Sequence, residues 1–540
     1  MEEHRPSTEA VNACLTDMYQ ITMCYAYWKA GRHETPAVFE MYFRKSPFKG
    51  QFTLLGGVRE VLGLLQTYKF TEEQIRYLRE QMPNADASFF DWMQNIDCSQ
   101  VKVWSFHEGS VVFAREPLLR VEGPIAVCQL LETTLLCLVN YSSLVATNAA
   151  RMRLAAGPDK VLVEMGLRRA QGPDGGLSAS RYSHMGGFDS SSNVLAGLKF
   201  GVKISGTHAH AFVQSFSGIE DLQQQEVKAA DGSTVNLVDK VMAYRKQLGI
   251  SKANLGELAA FIAYCQAFPS AFLALVDTYD CLESGIPNFL CCALALIELG
   301  YFPIGIRLDS GDLAEMSKSA RKLFREIEEK FSIPNFASRL NIVASNDISE
   351  DSLHELNDKG HEIDMFGIGT NLVTCQAQPA LGCVYKLVAM GSLPRIKISH
   401  DLVKVSIPGS KRVFRLFDST GSPRVDLMMT DDEVKHDGAP KVGEAITCCH
   451  PLDASKRISF TPAQVEDVLT CVWDGKILTL VENVDAIRDR AKRELQALPE
   501  EHKRRFDPQP YNVSISEKLF KMMHDLWTSE APTHSSASSS

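Results

Sequence analysis

The stretch PIGIRLDSGDLAEMSKSARKLFREIEEKF (303–331) decides how the middle of the chain folds. Its first part, PIGIRLD (303–309), is an apolar run without alternation, which is typical of a strand buried on both faces. Its second part, from Asp312 to Phe331, carries apolar residues at helical spacing. The stretch therefore predicts a strand, a turn and an amphipathic helix.

Similar units recur on both sides of this stretch. Helical segments such as 253–265, 289–300 and 350–360 separate most of the other apolar runs. Those runs are VLVEM (161–165), VKISG (202–206), FLALVD (272–277), NIVAS (341–345), IDMFGIG (363–369) and VYKLVAM (384–390). Strands of this kind divided by helices indicate an α/β fold with a parallel sheet covered on both faces. Seven or so units predict an irregular (β/α) barrel.

Charged, hydroxyl or glycine residues stand at the end of nearly every run. Because the carboxyl ends of parallel strands meet at one edge of a sheet, we expect these side chains to converge there. The residues are Glu164 with Arg168 and Arg169, Thr207 with His208 and His210, Asp277, Arg307 with Asp309, Ser345 with Asn346, and Gly367 to Thr370.

The chain divides into five predicted parts. A mixed α/β lobe with a linking helix covers 14–155, and the barrel with the active site covers 156–390. Residues 391–525 are β-rich and end in helices, as a third lobe or a return to the first. We expect 1–13 and the low-complexity tail 526–540 to be disordered.

Composition narrows the function classes. The formal net charge of −10 argues against nucleic acid as a main partner, but not against small anionic substrates. Most of the 14 cysteines, such as Cys137, lie in apolar runs and are predicted to be small buried hydrophobes in a reducing compartment. The polar N-terminus predicts no signal peptide, and 133–150 is predicted to be a buried helix rather than a membrane span. We therefore expect a cytosolic protein without a membrane partner.

Two motifs suit phosphate and sugar binding, although each has a simpler explanation. GIGT (367–370) has no Cβ at Gly367 or Gly369, so its backbone N–H groups can approach a phosphate, but it is equally typical of a tight strand–helix turn. In IRLDSGD (306–312), Arg307 suits a carboxylate or phosphate, and Asp309 and Asp312 suit ribose hydroxyls or magnesium. The alternative is a surface turn in which Asp309 pairs with Arg307 and Ser310 or Asp312 caps a helix.

The other motifs are individually weaker. GTHAHAF (206–212) offers a nucleophilic or phosphorylated histidine, whereas two histidines without a third ligand make a weak metal site, and a lone histidine is often structural. EMGLRRAQGPDGG (164–176) pairs two arginines with a glycine-rich loop. Arg168 and Arg169 would point oppositely on a strand, or belong to an ordinary basic loop. Asp17 and Tyr19 could simply begin a helix.

Together these motifs resemble one family closely. LTDMYQ (15–20), MGLRRAQGPDGG (165–176), GGFDSSSNVLAG (186–197), GTHAHAF, IRLDSGD and GIGT occur in the order found in nicotinate phosphoribosyltransferases, most like the animal-type long form. The resemblance runs from about residue 14 to 520. It implies the type II phosphoribosyltransferase fold, an irregular α/β barrel joined to a mixed lobe, and a homodimer whose active sites are shared.

The resemblance also implies residue roles. Tyr19, with Asp17 beside it, would stack on the pyridine ring from the partner subunit, and the phosphorylated histidine would be the one three residues after Thr207, which is His210. The nicotinate site would comprise Tyr19, Thr207, Arg307 and Arg168. Ribose, magnesium and the 5′-phosphate would be held by Asp277, Asp309, Gly367, Gly369 and Thr370.

The implied reaction joins nicotinate to 5-phosphoribosyl 1-pyrophosphate (PRPP), giving nicotinate mononucleotide and pyrophosphate in NAD biosynthesis. ATP would be a co-substrate hydrolysed through phospho-His210, and Mg²⁺ or Mn²⁺ the cofactor, held mainly by substrate phosphates. Three alternatives stay open. A nicotinamide-using relative would need a hydrogen-bond acceptor for the amide where this chain offers cations. A quinolinate phosphoribosyltransferase would need more basic residues for its two carboxylates, and its chain is much shorter. A non-catalytic barrel scaffold would leave the polar strand-end residues scattered.

Overall fold

The computed structural model describes residues 5–399, 401–479 and 481–530, save for the side chain of Leu402. The chain forms two compact units. Unit 1 contains the stretch up to Asn148 and the stretch from Ala377 onward, and unit 2 is Ala149–Gln376. The sequence allowed the C-terminal region to be either a third lobe or a return to the first lobe. In the structure this region belongs to the same compact unit as the first lobe. The sequence predicts a barrel over 156–390, and unit 2 spans Ala149–Gln376.

The strands are short, and most of them lie in three larger sheets. In chain order they are β1 (Pro36–Phe43), β2 (Thr53–Leu54), β3 (Lys102–Ser105), β4 (Val111–Val112), β5 (Leu119–Pro124), β6 (Val161–Glu164), β7 (Ser190–Ser191), β8 (Glu226–Lys228), β9 (Thr234–Asn236), β10 (Leu273–Leu275), β11 (Gly305–Leu308), β12 (Asn341–Ala344), β13 (Met365–Ile368), β14 (Cys383–Met390), β15 (Leu393–Pro394), β16 (Lys411–Phe417), β17 (Pro423–Thr430), β18 (Ile446–Cys449), β19 (Arg457–Phe460), β20 (Gln464–Asp467), β21 (Thr470–Asp474) and β22 (Asn512–Ile515).

Helices separate most of the strands of unit 2 and frame the sheets of unit 1. The α-helices are α1 (Met18–Lys29), α2 (Val58–Thr67), α3 (Glu72–Gln81), α4 (Ala87–Asn95), α5 (Ile125–Leu130), α6 (Glu132–Ala156), α7 (Gly172–Met185), α8 (Val194–Phe200), α9 (His210–Gln214), α10 (Leu237–Gln247), α11 (Leu255–Ala267), α12 (Ile286–Glu298), α13 (Leu313–Phe331), α14 (Phe336–Arg339), α15 (Glu350–Lys359), α16 (Thr370–Val373), α17 (Asp431–Asp437), α18 (Val484–Ala497), α19 (Glu500–Lys503) and α20 (Glu517–Glu530). A single π-turn spans Cys281–Gly285, and 3-10 turns span Leu167–Arg169, Ile219–Asp221 and Leu402–Lys404.

Unit 2 is built on a parallel sheet with the strand order β10-β11-β12-β13-β6-β7. An isolated parallel bridge from Ser191 to Ile204 continues it by one position. This bridge is all that forms of the predicted VKISG strand. Among the described residues no backbone ladder joins Ile204 back to β10, so the mixed α/β class is observed and a closed barrel stays a prediction.

The stretch 303–331 folds as its sequence predicts. β11 is followed by a turn, and Asp312 caps α13 by accepting hydrogen bonds from the N–H groups of Ala314 and Glu315. The apolar face of α13 is buried, and Phe324 contacts Phe289 of α12 at a ring-centroid distance of 6.0 Å. Burying one such ring stabilises the fold by about 1.5–3 kcal/mol. These contacts hold the helices on the sheet and so position the strand ends.

Unit 1 contains the other two large sheets. One has the order β15-β14-β1-β5-β3-β21 and is antiparallel throughout. The other, β19-β18-β22-β17-β16-β20, pairs β17 with β22 in parallel and its remaining strands antiparallel. The predicted assignment of VYKLVAM (384–390) to the parallel series is wrong, because this run forms β14 and pairs antiparallel with β1.

Several local expectations also need correction. Cys137 is exposed, although most of the other cysteines are buried and all 14 are free thiols. Arg168 and Arg169 lie on a 3-10 turn rather than a strand, and the glycine-rich loop after them is the first turn of α7. The helix of residues 133–150 belongs to α6. Within the described residues, one helical stretch, Cys281–Glu298, is long and apolar enough to cross a membrane, but 72% of it is buried inside the protein, which is typical of a core helix.

The predicted disordered ends lie only partly within the described residues. Residues 1–4 and 531–540 fall outside them. Val11 and Ala13 are buried, however, and the Ser7 N–H donates to Glu60 Oε2 at 2.8 Å. Residues 526–530 complete α20. The described parts of both segments are therefore structured, because buried apolar contacts and helical hydrogen bonds offset the cost of ordering them.

Candidate active site

Asp277 and Asp309 meet at the carboxyl ends of two neighbouring strands, β10 and β11. Asp277 Oδ2 accepts hydrogen bonds from the Asp309 N–H at 3.2 Å and from Ser310 Oγ at 2.6 Å. The other oxygen, Asp277 Oδ1, is buried and has no hydrogen-bond partner among the described residues. A buried carboxylate oxygen without a partner is costly, so this atom is suited to a bound cation or hydroxyl.

Arg307, Ser345 and Asp309 form a closed triangle of hydrogen bonds beside them. Arg307 Nε donates to Ser345 Oγ at 2.6 Å, and Arg307 Nη2 donates to Asp309 Oδ1 at 3.2 Å. The Ser345 hydroxyl in turn donates to the same Asp309 oxygen at 2.6 Å. The Arg307 side chain is only 13% exposed, and its remaining N–H donors have no described partner. The guanidinium can therefore still bind an anion.

His210 begins the short helix α9 and faces the same group of residues. Its Nδ1 lies 3.1 Å from Thr278 Oγ1, and its Nε2 lies 3.8 Å from Asp309 Oδ2. The side chain is 41% exposed. A partly exposed imidazole that is oriented at one nitrogen and accessible at the other can act as a nucleophile.

His208 occupies a different environment although it is only two residues away. Its ring is buried against Phe212 and Tyr264, and Nε2 accepts a hydrogen bond from the Leu275 N–H at 3.3 Å. Burial lowers the pKa of His208 to about 4. The side chain bridges the gap between the 206–209 segment and β10, where no backbone ladder forms, and is therefore structural.

The glycine segment after β13 packs tightly against the turn after β6. A Cβ on Gly367 would lie 2.6 Å from Met165 Sδ, and a Cβ on Gly369 would lie 3.3 Å from Met165 O. Thr370 begins α16. The segment is therefore a tight strand–helix turn, as one of the two explanations of GIGT predicts, and phosphate binding by its backbone stays a prediction.

The other predicted site residues are less closely tied to this group. Arg168 is exposed, and its Nη1 donates to Met165 O at 3.2 Å within the same turn. Thr207 precedes His208 and donates to its carbonyl oxygen at 3.3 Å. Tyr19 belongs to unit 1, where it is 48% exposed on α1, and Asp17 stands just before that helix.

Sequence reasoning missed one member of the site and left the role of another residue open. Thr278 contacts His210 and directly follows Asp277. The search for polar residues at strand ends would have found it if the search had been extended by one residue. Asp312 does not join the site, because its carboxylate caps α13, as the simpler explanation of that turn predicts.

The residues present fit a magnesium ion that is held partly by a substrate. No group of three or more potential protein ligands occurs among the described residues. In the described part of the chain, Asp277 Oδ1 is nevertheless left without a partner, and the one polar contact found for Asp309 Oδ2 is His210 Nε2 at 3.8 Å. Mg²⁺ typically takes one or two carboxylates and completes its shell with phosphates and water, which suits this pair.

Chemically, the group combines a cation with free donors, two carboxylates, an accessible imidazole and a glycine segment. Such a set can bind an anionic substrate, stabilise positive charge on a sugar and accept a phosphoryl group. The strand-end residues of β10, β11 and β12 converge as the sequence predicts. This convergence contradicts the scaffold alternative, which requires them to be scattered.

Comparison with known proteins gives a consistent result. Residues 14–140 match the model of the nicotinate phosphoribosyltransferase N-terminal domain, and residues 410–523 match that of the C-terminal domain. A nicotinate phosphoribosyltransferase of Dictyostelium discoideum is 50% identical over 98% of this chain and 90% of its own length. The human protein of that name is 45% identical over 98% and 99%.

A solved structure extends this similarity to the fold. The crystal structure of human nicotinic acid phosphoribosyltransferase superimposes with a TM-score of 0.85 at 44% identity, covering 95% of this chain and 99% of that one. The mixed α/β fold class and the family resemblance predicted from the motifs are thereby confirmed. The chain belongs to the nicotinate phosphoribosyltransferase family.

Proposed function

We propose that this chain joins nicotinate to PRPP, releasing nicotinate mononucleotide and pyrophosphate, and couples the transfer to ATP hydrolysis. Family membership supports the reaction class. The observation that carries the proposal is the meeting of Asp277, Arg307, Asp309 and His210 at the ends of β10 and β11. The site offers a cation for the nicotinate carboxylate, which favours nicotinate over nicotinamide.

Nicotinate is held by its carboxylate and its ring in this proposal. Arg307 faces the carboxylate, since a largely buried guanidinium with free donors is suited to an anion. Arg168 and Thr207 line the same pocket. Tyr19 of the partner subunit stacks on the pyridine ring, and its exposure on α1 leaves the side chain available to a second subunit.

The transfer needs no general base. The pyridine nitrogen attacks the ribose C1 as the bond from C1 to the pyrophosphate oxygen breaks, so positive charge develops on the ribose. Asp309 stabilises this charge, and Asp277 holds ribose hydroxyls. Gly367, Gly369 and Thr370 bind the 5′-phosphate through backbone N–H groups and a hydroxyl. Asp277 and Asp309 would hold Mg²⁺, which would supply positive charge to neutralise the leaving pyrophosphate.

His210 carries the ATP coupling. Its Nε2 accepts the γ-phosphoryl group as ADP leaves, and water later releases phosphate and restores the imidazole. The contact of Nδ1 with Thr278 leaves Nε2 as the accessible nitrogen. The buried ring of His208 is unsuited to this role. The enzyme works as a cytosolic homodimer with shared sites.

A direct assay tests the reaction. Product formation is measured with nicotinate or nicotinamide, each with and without ATP. We expect turnover with nicotinate, stimulated by ATP, and little with nicotinamide. Equal turnover of both pyridines, or turnover of neither, contradicts the proposal.

Phosphate labelling tests the histidine assignment. After incubation with γ-labelled ATP, acid-labile, base-stable label should map to His210. His210→Ala should abolish labelling, ATPase activity and ATP stimulation, and leave slow ATP-independent transfer. The matched variant His208→Gln should still be labelled. Label on His208 would overturn the assignment.

Hybrid dimers test the shared site. At a nicotinate concentration too low for either variant alone, mixing Tyr19→Ala and Arg307→Ala subunits should restore part of the activity, because one site of each hybrid dimer is intact. No recovery after verified subunit exchange would place Tyr19 outside the partner's site.

A further inference from the structure

Glu164, the last residue of β6, is completely buried at the carboxyl edge of the parallel sheet, and the proposed reaction does not use it. Its carboxylate collects three hydrogen bonds from three different segments. Oε1 accepts from the Gly166 N–H, and Oε2 accepts from Ser180 Oγ on α7 and from Ser191 Oγ on β7. All three partners are neutral groups that can donate a hydrogen bond to the carboxylate.

This network extends through the neighbouring turn. The Gly166 carbonyl accepts from the Arg169 N–H at 2.7 Å, which closes the 3-10 turn. The Met165 N–H donates to Ile368 O at 2.8 Å, and Met165 O accepts from Arg168 Nη1. The backbone that Glu164 holds is therefore the backbone that orients Arg168.

The same turn supports the glycine segment. A Cβ on Gly166 would lie 2.4 Å from Val373 Cγ1 and 2.9 Å from Gly369 O. Gly166 is thus packed directly against Gly369, which precedes α16, and Val373, which ends it. Any shift of Gly166 away from Glu164 must move Arg168, Gly369 or both, because close-packed interiors transmit displacement.

We propose that Glu164 is a positioning residue of the active site, whose buried carboxylate fixes the Met165–Arg169 turn and with it both Arg168 and the 367–370 segment. This rests on the proposed function for the roles of Arg168 and Gly369. Glu164 thereby supports residues of both the nicotinate site and the PRPP site. Disturbing Glu164 should therefore weaken the binding of both substrates.

The test compares Glu164→Gln with Asp364→Asn. Asp364 likewise accepts hydrogen bonds from a backbone N–H, that of Ile342 at 2.8 Å, and from a side chain, Arg321 Nη2 at 2.6 Å. It lies just before β13, at the opposite, amino end of the parallel sheet. We expect Glu164→Gln to raise the KM of both substrates about 10-fold, the scale for a disturbed hydrogen bond, with kcat within about 3-fold of wild type. Asp364→Asn should leave both KM values unchanged.

A second measurement does not depend on catalysis. Amide hydrogen exchange over residues 165–170 should speed up in Glu164→Gln and not in Asp364→Asn. If Glu164→Gln does not fold, Ser180→Ala, which removes one hydroxyl donor, should give the same pattern with smaller increases. Unchanged KM values and unchanged exchange in a folded variant overturn the proposal, as does an equal effect of Asp364→Asn. Inactivity of the wild type refutes only the proposed function, because the exchange result still decides the role of Glu164.

Discussion

Each unit contains an arginine–aspartate pair attached to a sheet, and the two pairs differ in how completely they are satisfied. In unit 1, Arg415 of β16 binds Asp426 of β17 through two nitrogens, at 3.0 and 2.7 Å, and the two side chains are 6% and 0% exposed. Asp426 also accepts from Tyr511 at 2.9 Å, and Arg415 donates to Val111 O and to Glu494. The pair in unit 1 is closed.

The pair in unit 2 is open. Arg307 and Asp309 share one contact of 3.2 Å, and Asp309 is 30% exposed. Neighbouring atoms keep free capacity, including Asp277 Oδ1 and the remaining donors of Arg307. Closed pairs serve the stability of the fold, whereas an open pair retains binding capacity for a ligand.

The largest expected effect is on the stability of the closed pair. Asp426→Ala should lower the free energy of unfolding by about 3–5 kcal/mol, because it leaves Arg415 buried without its main partner. Urea unfolding measures this loss. The control Asp437→Ala removes an exposed partner of Lys518 and should not change stability measurably. Similar losses for both variants would remove the distinction between closed and exposed pairs.

Breaking the open pair should affect binding rather than stability. Arg307→Ala should raise the KM for nicotinate by at least about 30-fold, the lower end of the 2–5 kcal/mol scale for truncating a charge partner. The unfolding midpoint should stay close to that of wild type. Arg325→Ala, which removes an exposed arginine of α13, should alter neither quantity. An unchanged KM for nicotinate in Arg307→Ala would show that Arg307 does not bind the carboxylate.

His208 and His210 show a similar contrast within the site, because His208 is buried and His210 is partly exposed. The pH dependence of stability tests the burial of His208. Unfolded histidine binds a proton below about pH 6.5, whereas buried His208 stays neutral down to about pH 4. Protons therefore favour the unfolded state between these values, and the stability that His208 contributes is lost as the pH falls. Between pH 7 and 5 wild type should lose about 2 kcal/mol more than His208→Gln. Parallel pH profiles would contradict the burial of His208, and His354→Gln on α15 serves as the control.

The smallest effect of a single substitution is expected for Thr370→Ala in the glycine segment. Thr370→Ala removes one hydroxyl and should raise the KM for PRPP only several-fold, as for one lost hydrogen bond of about 1 kcal/mol. Gly369→Val should raise it far more, because its side chain meets Met165 O and fills the approach to the backbone. Equal and mild effects of both changes would argue against a phosphate site built from backbone N–H groups.

Most of the parallel sheet and its site could be predicted because the determining signals are local. Apolar runs such as 303–309 and 341–345 became strands where expected, and the polar residues after them met at one edge. That meeting follows from parallel strand direction alone. The capping of α13 by Asp312 is equally local.

Other features depended on partners that are distant in the chain. The run 384–390 has the same composition as the parallel strands, yet it pairs antiparallel with β1, more than three hundred residues earlier in the sequence. No local pattern distinguishes the two outcomes, because β-propensity reports a buried, pleated environment and not the identity of the neighbouring strand.

The amino-acid sequence by itself determined the α/β class, the order of the strand–helix units, the family and the set of polar strand-end residues, since these are written in periodicity and short motifs. Only the tertiary structure decided which of the two nearby histidines is buried. It also decided that Glu164 joins three segments beneath the site. The physical reason is that burial and hydrogen-bond satisfaction depend on what other parts of the chain bring to each side chain.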